Sequence, residues 1–387
     1  MKLNYGKNFW LLCISMFFFM TGFNLIMPEL NQFITNLGGE GQKGLVITLF
    51  TISAGLSRPF SGKLADTIGR KKVIYIGTIC SIIVSVLYPL STTVFFFLFL
   101  RFLHGFSAGF APTGATALIT DITPSNKRGT AMGIWGTFIS LGIGAGQSVG
   151  SWICLKFGFN ILFMSAAICS IISILLFYEV SESLEKTAKF KFSKLKITWN
   201  DVFEPTVRPA AIVMFLTATC SGIIFVVTPD ISAFLGIENK GFFFGVYVIS
   251  TILIRLFTSS MSDRIGRRQM LLVGCLFLIA SMMLIASAKS VNSYILAAII
   301  FGFATGVSSP TLFAWTADLS PETRRGVGAG TMFIALELGI MTGSLSTLAT
   351  YHNTKTTVYL SFAVGAIFAL IASIYLIWHL RMRESKY

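Results

Sequence analysis

The sequence predicts an all-α polytopic membrane protein with twelve transmembrane helices, arranged as two pseudo-symmetric six-helix bundles. Two observations support this fold class. The 387 residues are 54% hydrophobic and only 12% charged, which makes the chain far more apolar than an average soluble domain. The second half also repeats features of the first half at a constant offset. Such half-repeats are common in membrane proteins built around a shared central site.

Each half contains six apolar runs of about 18 to 25 residues, long enough to cross a bilayer. In the first half these runs cover 8–28, 43–63, 73–91, 94–120, 129–153 and 159–179. In the second half they cover 209–229, 241–262, 269–288, 291–317, 326–350 and 356–380. We therefore expect an N-terminal bundle at 1–180, a basic cytoplasmic linker at 181–208 that tethers the halves, and a C-terminal bundle at 209–387.

The repeat is clearest around a charged turn within residues 55–72. Its arginine and its acid recur at the same distance, since 255 − 58 and 263 − 66 both equal 197. Five pairs of charged or glycine residues keep this offset: Arg58 and Arg255, Asp66 and Asp263, Gly69 and Gly266, Arg70 and Arg267, and Asp121 and Asp318. The constant register over most of the chain predicts two homologous halves.

The string Gly62-x-Leu64-Ala65-Asp66-x-x-Gly69-Arg70-Lys71 resembles the loop between helices 2 and 3 of major facilitator superfamily transporters. Arg101 and Gly105 match that family's Arg-x-x-x-Gly element on helix 4. The resemblance, closest to the proton-coupled efflux branch, implies secondary transport by this fold. It also implies that the paired acids and cations of the inner turns, with Asp121 and Asp318, latch neighbouring helices and so control conformational change.

The formal net charge of +14 reflects topology and does not indicate nucleic-acid binding, because the cations lie between hydrophobic spans. Only five of the 30 Lys and Arg residues fall in predicted outer loops: Lys43, Lys156, Lys240, Lys289 and Lys355. The positive-inside rule then predicts that both termini are cytoplasmic. We expect a multi-pass protein of the plasma (inner) membrane. We expect a monomer in the lipid bilayer.

Nothing in the sequence favours an enzyme. Gly105-x-Ser107-x-Gly109 matches the nucleophile-elbow pattern, but it lies inside a predicted helix and the second half has Ala304 in place of the serine. The six cysteines lack CxxC spacing, so we expect neither a metal nor a cofactor. Small residues allow close helix packing in membranes. The glycines assigned to packing are Gly105, Gly109, Gly142, Gly146, Gly150, Gly302 and Gly306.

The Gly-rich stretch of span 5 resembles the helix 5 element of the family's antiporters. Gln147 stands at the usual proline position and Ser151 replaces the final glycine. These departures weaken the inference of antiport and leave a smooth face for helix packing.

Three side chains are candidates for proton coupling or for lining the substrate cavity: Glu337, Arg101 and His104. Glu337 lies near the middle of span 11, where burial favours the protonated carboxyl and a proton can be held and released. The alternative is a fixed ion pair, for example with Arg101. Histidine changes charge near neutral pH, but a lone histidine in a helix, such as His104, is more often a packed, neutral hydrogen-bonding residue.

Glu29 and Asp230 each follow a proline at the outer end of a span, at the end of span 1 and of span 7. They are candidates for an outer gate. The alternative is a proline that ends the helix, followed by a solvated acid.

The favoured function is proton-coupled export of a small organic or amphipathic molecule by alternating access, with a small-molecule substrate and protons as partners. The predicted spans that would surround a cavity are mostly apolar and aromatic, and Glu337 is the one acid deep in a span. Uptake of a polar solute such as a sugar or organic anion is the first alternative, favoured if Arg101 binds an anion. A lipid translocase is the alternative from another class.

Overall fold

The structure is a computed structural model that describes residues 5–123, 128–184, 196–258, 261–321 and 324–384. The described residues form helices joined by turns and short loops and include no β-strand, which confirms the predicted all-α class. The helices of the first half are α1 (Lys7–Leu25), α2 (Leu30–Asn36), α3 (Lys43–Ile68), α4 (Arg70–Leu87), α5 (Val94–Asp121) and α6 (Arg128–Tyr178). Those of the second half are α7 (Trp199–Val202), α8 (Arg208–Phe234), α9 (Phe242–Thr258), α10 (Met261–Ile265), α11 (Arg267–Ala286), α12 (Val291–Leu319), α13 (Arg325–Thr350) and α14 (Lys355–Glu384).

Nine helical stretches in the described residues are long and apolar enough to cross a membrane. One of them, at 134–178, covers two predicted spans, because α6 continues through a single non-helical glycine, Gly158, at φ 79°. Two further predicted spans correspond to α3, which contains charged residues, and to α9, whose apolar part is short. The membrane fold is therefore established, while the count of twelve spans stays a prediction.

The described residues form two compact units. The first comprises Met1–Phe33 and Ile52–Thr198, and the second comprises Ile34–Thr51 and Trp199–Tyr387. The segment 34–51, which the sequence assigns to the N-terminal bundle, thus packs with the second unit. Gly44 lies against the backbone of Ser344, and the Thr48 hydroxyl is 2.8 Å from that of Ser344. The linker residues 185–195 lie outside the described residues.

Each unit has its own apolar core. In the first unit, α1, α4, α5 and α6 surround Phe19, Leu118 and Trp135. In the second, α8, α11, α12, α13 and α14 surround Trp315 and Met332. Large apolar side chains also line the outside, as on α4 and α14, where a bilayer would cover them.

The two prolines predicted to end spans behave differently. α1 ends at Leu25, and Pro28 and Glu29 form a short 3₁₀ turn that leads into α2. The expectation is wrong for Pro229, which lies inside α8, since this helix continues to Phe234. Proline removes one backbone donor, and membrane helices tolerate this where neighbouring groups restore the hydrogen bonding.

Candidate functional site

The charged turn and its repeat have the same geometry in the two units. Gly69 and Gly266 stand before α4 and α11 with φ of 118° and 106°, a region that favours glycine because it has no Cβ. The following arginines reach the acids at the ends of α5 and α12. Arg70 Nε donates to Asp121 Oδ2 at 3.1 Å, and Arg267 Nε donates to Asp318 Oδ2 at 2.9 Å.

The remaining residues of the predicted gating set lie close to these pairs in sequence. Arg58 on α3 and Arg255 on α9 are partly buried. The side chains of Asp66 and Asp263 lie outside the described part of the chain.

The start of the linker binds the same end of the first unit. The Glu182 carboxylate accepts hydrogen bonds from the backbone N–H groups of Arg70 and Lys71 at 3.1 and 2.9 Å. The Ser183 hydroxyl donates to Asp121 Oδ2 at 2.6 Å. Glu182 therefore supplies the acceptor that Gly69, without a side chain, cannot supply at the first turn of α4.

Arg101 and His104 lie inside the first unit and are fully buried. Arg101 Nη1 is 3.4 Å from the Tyr88 hydroxyl, and the same hydroxyl is 3.1 Å from His104 Nδ1. His104 Nε2 is 3.2 Å from the Ser81 hydroxyl. The two predicted residues are thus brought together through Tyr88, which the sequence did not single out.

The glycines of α6 let that helix approach α1 very closely. A Cβ added at Gly142 or Gly146 would lie 2.6 Å from Phe17 O or 2.5 Å from Thr21 O, and one at Gly150 would overlap Leu25 O. The glycines of α5 and α12 that were predicted to pack against other helices are also in close contact or buried. Gly109 faces Ser57 on α3, and Gly302 and Gly306 face α9. Gly105 is buried in α5.

The two residues that depart from the antiporter element have polar partners on α1 and in the 3₁₀ turn that follows it. Gln147 Nε2 donates to Asn24 Oδ1 at 3.2 Å, and the Ser151 hydroxyl donates to Glu29 Oε1 at 2.7 Å. Glu29 is only 5% exposed. The face between α1 and α6 is therefore a polar seam, and the predicted outer-gate acid Glu29 belongs to it.

Glu337 lies on α13 in the second unit and is 7% exposed. Two residues later, Gly339 packs against the backbone of Phe215 on α8, and Gly343 packs against that of Thr219. Two residues correspond to about 200° of helical rotation. Glu337 consequently lies on the side of α13 turned away from α8.

Asp230, the second outer-gate candidate, is the centre of a charged cluster in the second unit. Lys43 Nζ donates to Asp230 Oδ2 and to Asn353 Oδ1, each at 2.7 Å, and the Tyr351 hydroxyl donates to Asp230 Oδ2 at 2.7 Å. The side chains of Lys43 and Asp230 are 10% and 15% exposed. Burial and the Asp230 carboxylate raise the pKa of Tyr351, so its phenol keeps the proton that it donates.

The sequence predicts Lys43 in an outer loop and does not indicate a partner for it. A lysine at the first residue of an apolar run, with an acid at the outer end of another span, was the available signal. For Glu182 the signal was an acid followed by serine just after a span. Tyr88 gave no distinctive pattern.

The sequence profile of the Major Facilitator Superfamily matches residues 12–238 and 210–386. The chain is 26% identical over 394 aligned residues to "Multi-drug resistance efflux pump PmrA homolog" of Lactococcus lactis subsp. lactis (strain IL1403), covering 97% of this chain and 94% of that protein. It is 27% identical to "Multi-drug resistance efflux pump PmrA" of Streptococcus pneumoniae serotype 4 (strain ATCC BAA-334 / TIGR4), covering 79% of each.

Among solved structures, the human organic anion transporter MFSD10 (TETRAN) has the same fold, with a TM-score of 0.75 at 16% identity, covering 96% of this chain and 99% of that one. The sequence profile spans both halves, and the repeated turns have the geometry described above. The chain therefore belongs to the Major Facilitator Superfamily of transporters.

Proposed function

We propose that the protein exports small organic or amphipathic molecules in exchange for protons, by alternating access. The observation that carries the proton part is Glu337, a carboxyl only 7% exposed on a membrane-spanning helix. Acidic residues within membrane-spanning helices are rare, and they mark proton and ion pathways in transporters.

The position of Glu337 favours a role in transport over a role in holding the fold together. Its counterpart in the first half is Ser140, since 337 − 197 = 140, so the shared fold does not require an acid there. The glycine face of α13 meets α8, and Glu337 lies on a different face. In this proposal Glu337 is the coupling site, and the buried cation Arg101 lines the cavity.

The substrate class rests on the named relatives, which are multidrug efflux pumps. The low share of charged residues in a mostly apolar chain is compatible with binding of an amphipathic substrate. Arg101, a fully buried guanidinium, favours a second candidate, the transport of an organic anion. Competition of anionic against cationic amphiphiles for transport in one preparation distinguishes the two.

The conformational cycle would use the ion pairs at the helix ends. Arg70 with Asp121 and Arg267 with Asp318 are partly exposed, so each pair is worth little alone. Several such pairs can bias two states separated by a few kcal/mol. At the predicted outer ends, Lys43 and Asp230 would have to separate whenever residues 34–51 leave the second unit. We further propose an inner-membrane monomer with both termini in the cytoplasm.

The experiment is substrate accumulation in proteoliposomes driven by ΔpH alone. Glu337→Gln mimics the protonated carboxyl at similar volume, and we expect it to abolish accumulation while substrate binding and exchange persist. Glu238→Gln, which changes an exposed acid of the same unit, is the matched control and should leave transport intact. If Glu337→Gln still concentrates substrate on ΔpH alone, the acid is structural and the proposal is wrong.

A further inference from the structure

A chain of hydrogen bonds crosses three helices inside the first unit. It runs from Arg101 on α5 to Tyr88 beyond the end of α4, to His104 on α5, to Ser81 on α4 and to Ser170 on α6, with donor–acceptor distances of 3.4, 3.1, 3.2 and 3.2 Å. Each of these side chains is at most 1% exposed. Their hydrogen bonding must therefore be satisfied within the protein.

The direction of the chain follows from Arg101. A guanidinium only donates, so the Tyr88 oxygen accepts from it. The Tyr88 hydrogen then has His104 Nδ1 as its acceptor, because the other partner of this hydroxyl among the described residues, Arg101, can only donate. Nδ1 is consequently unprotonated and Nε2 has the hydrogen. His104 therefore donates to Ser81, whose hydroxyl is also hydrogen-bonded to that of Ser170.

A second proton on His104 would disrupt this arrangement. An imidazolium donates from both nitrogens, which would leave the buried Tyr88 hydrogen without an acceptor, and such a loss is expensive. It would also place a second cation three residues from Arg101 in a dry interior. Among the described titratable groups, Arg101 acts electrostatically on the ring and Tyr88 is hydrogen-bonded to it, while Cys80 acts on Tyr88. The α1 side contributes the Phe23 ring at 5.0 Å.

The second half of the molecule does without this chain. At the offset of 197, Tyr88, Arg101 and His104 correspond to Ile285, Ala298 and Phe301, and Ser81 and Ser170 correspond to Leu278 and Ile367. All five counterparts are apolar. One unit is therefore built without these hydrogen bonds, so helix packing in this fold does not require them.

We propose that Tyr88 and His104 are positioning residues that orient the Arg101 guanidinium, and that His104 stays neutral as the Nε2–H tautomer throughout the transport cycle. His104 is then not the proton carrier. The role of Arg101 in transport rests on the proposed function, whereas the tautomer and the charge of His104 do not.

The direct test is ¹⁵N NMR of the full-length protein labelled at histidine and held in lipid nanodiscs. The chain has three histidines, so His352→Gln and His379→Gln assign the His104 signals. The expected result is an Nε2–H imidazole whose ¹⁵N shifts do not change between pH 5.5 and 8.0. A transition to imidazolium in that range, or the Nδ1–H tautomer, would overturn the proposal.

The functional test compares Tyr88→Phe, His104→Gln and the double variant in proteoliposomes. We expect each to raise KM about tenfold, the effect of one lost hydrogen bond to a charged group, with the pH profile of transport unchanged. The double variant should match the single ones because all three act through Arg101. Tyr294→Phe, a buried tyrosine of the other unit, is the control for loss of a buried hydroxyl.

Two outcomes contradict positioning. If His104→Gln alone abolishes ΔpH-driven accumulation while Tyr88→Phe retains it, His104 is the proton carrier. If the Tyr88 and His104 variants lower the melting temperature as Tyr294→Phe does and leave KM unchanged, the chain of hydrogen bonds only stabilises the fold. A failure of the Glu337→Gln experiment would leave the NMR result unaffected, so the two proposals fail separately.

Discussion

Lys43 Nζ lies 2.7 Å from Asp230 Oδ2, so a lysine at the start of α3 is held by an acid of α8, more than 180 residues away in sequence. Asn353 and Tyr351 complete the site from the loop between α13 and α14. This cluster fixes residues 34–51 to the second unit. Because the two charges are largely buried, loss of either partner leaves the other poorly compensated.

Removing one charge should therefore release this segment. We expect Asp230→Asn to weaken the attachment by about 1–3 kcal/mol, less than for a fully buried pair because some solvent reaches it. Thr48→Cys, which is buried beside Ser344, serves as the reporter in a background without the native cysteines. Labelling of this cysteine from outside the cell by a membrane-impermeant maleimide should become faster.

Lys289→Ala, an exposed lysine outside the cluster, is the control and should not change the labelling rate. Lys43→Asp combined with Asp230→Lys should restore part of the protection. Equal labelling in all variants would show that the ion pair does not hold the segment.

Glu182 should stabilise the first unit by capping α4. Replacement by Ala removes the acceptor for two backbone N–H groups, and a lost helix cap costs about 1 kcal/mol. Glu182→Gln should lose less, since an amide oxygen still accepts one hydrogen bond. Thermal unfolding in detergent measures the difference, and Glu238→Ala is the exposed control; identical melting of both alanine variants would refute the capping.

Gly150 and Gly136 provide a matched pair on α6. A methyl group at Gly150 would overlap the Leu25 carbonyl, whereas nothing lies within 4 Å of one at Gly136. Gly150→Ala should destabilise the protein and reduce transport. Gly136→Ala should be neutral or slightly stabilising, because alanine is the better helix former. Similar melting temperatures for the two variants would show that α1 and α6 can separate freely.

Glu204 should make stability depend on pH at the acidic end. A hydrogen bond from Arg324 Nε at 2.5 Å, followed by one from Thr206, lowers the pKa of Glu204 below its ordinary value of 4.5. The stabilisation is therefore complete above about pH 4.5 and is lost as the pH falls through the lower folded-state pKa. Glu204→Gln should melt earlier than the native protein at pH 7, and the gap should close in acid. A gap that persists at pH 3 would contradict this assignment.

The sequence predicted well what is local or repeated. The sequence predicts that the charged turn recurs in one register. The structure gives Gly69 and Gly266 similar positive φ angles and pairs Arg70 with Asp121 as it pairs Arg267 with Asp318. The all-α class follows from length and apolarity.

Contacts between distant helices could not be predicted. Gln147 departs from the antiporter element in sequence, and its partner Asn24 lies on another helix. The partner of a polar residue in a membrane helix depends on the rotation of a second helix, and a span that is apolar on all sides gives no amphipathic signal for this rotation. Tyr88 is an ordinary aromatic residue near a helix end, and only its position beside Arg101 makes it informative.

The one-sided distribution of charge bears on how the two halves originated. A dimer of two first halves would contain two copies of Arg101 and no acid at the Glu337 position, and a dimer of two second halves would have the reverse. Neither symmetric ancestor could combine a buried cation with a buried acid. Fusion of the duplicated genes allows the two copies to differ, so replacing one half of the present-day chain by a second copy of the other half should yield folded but inactive protein.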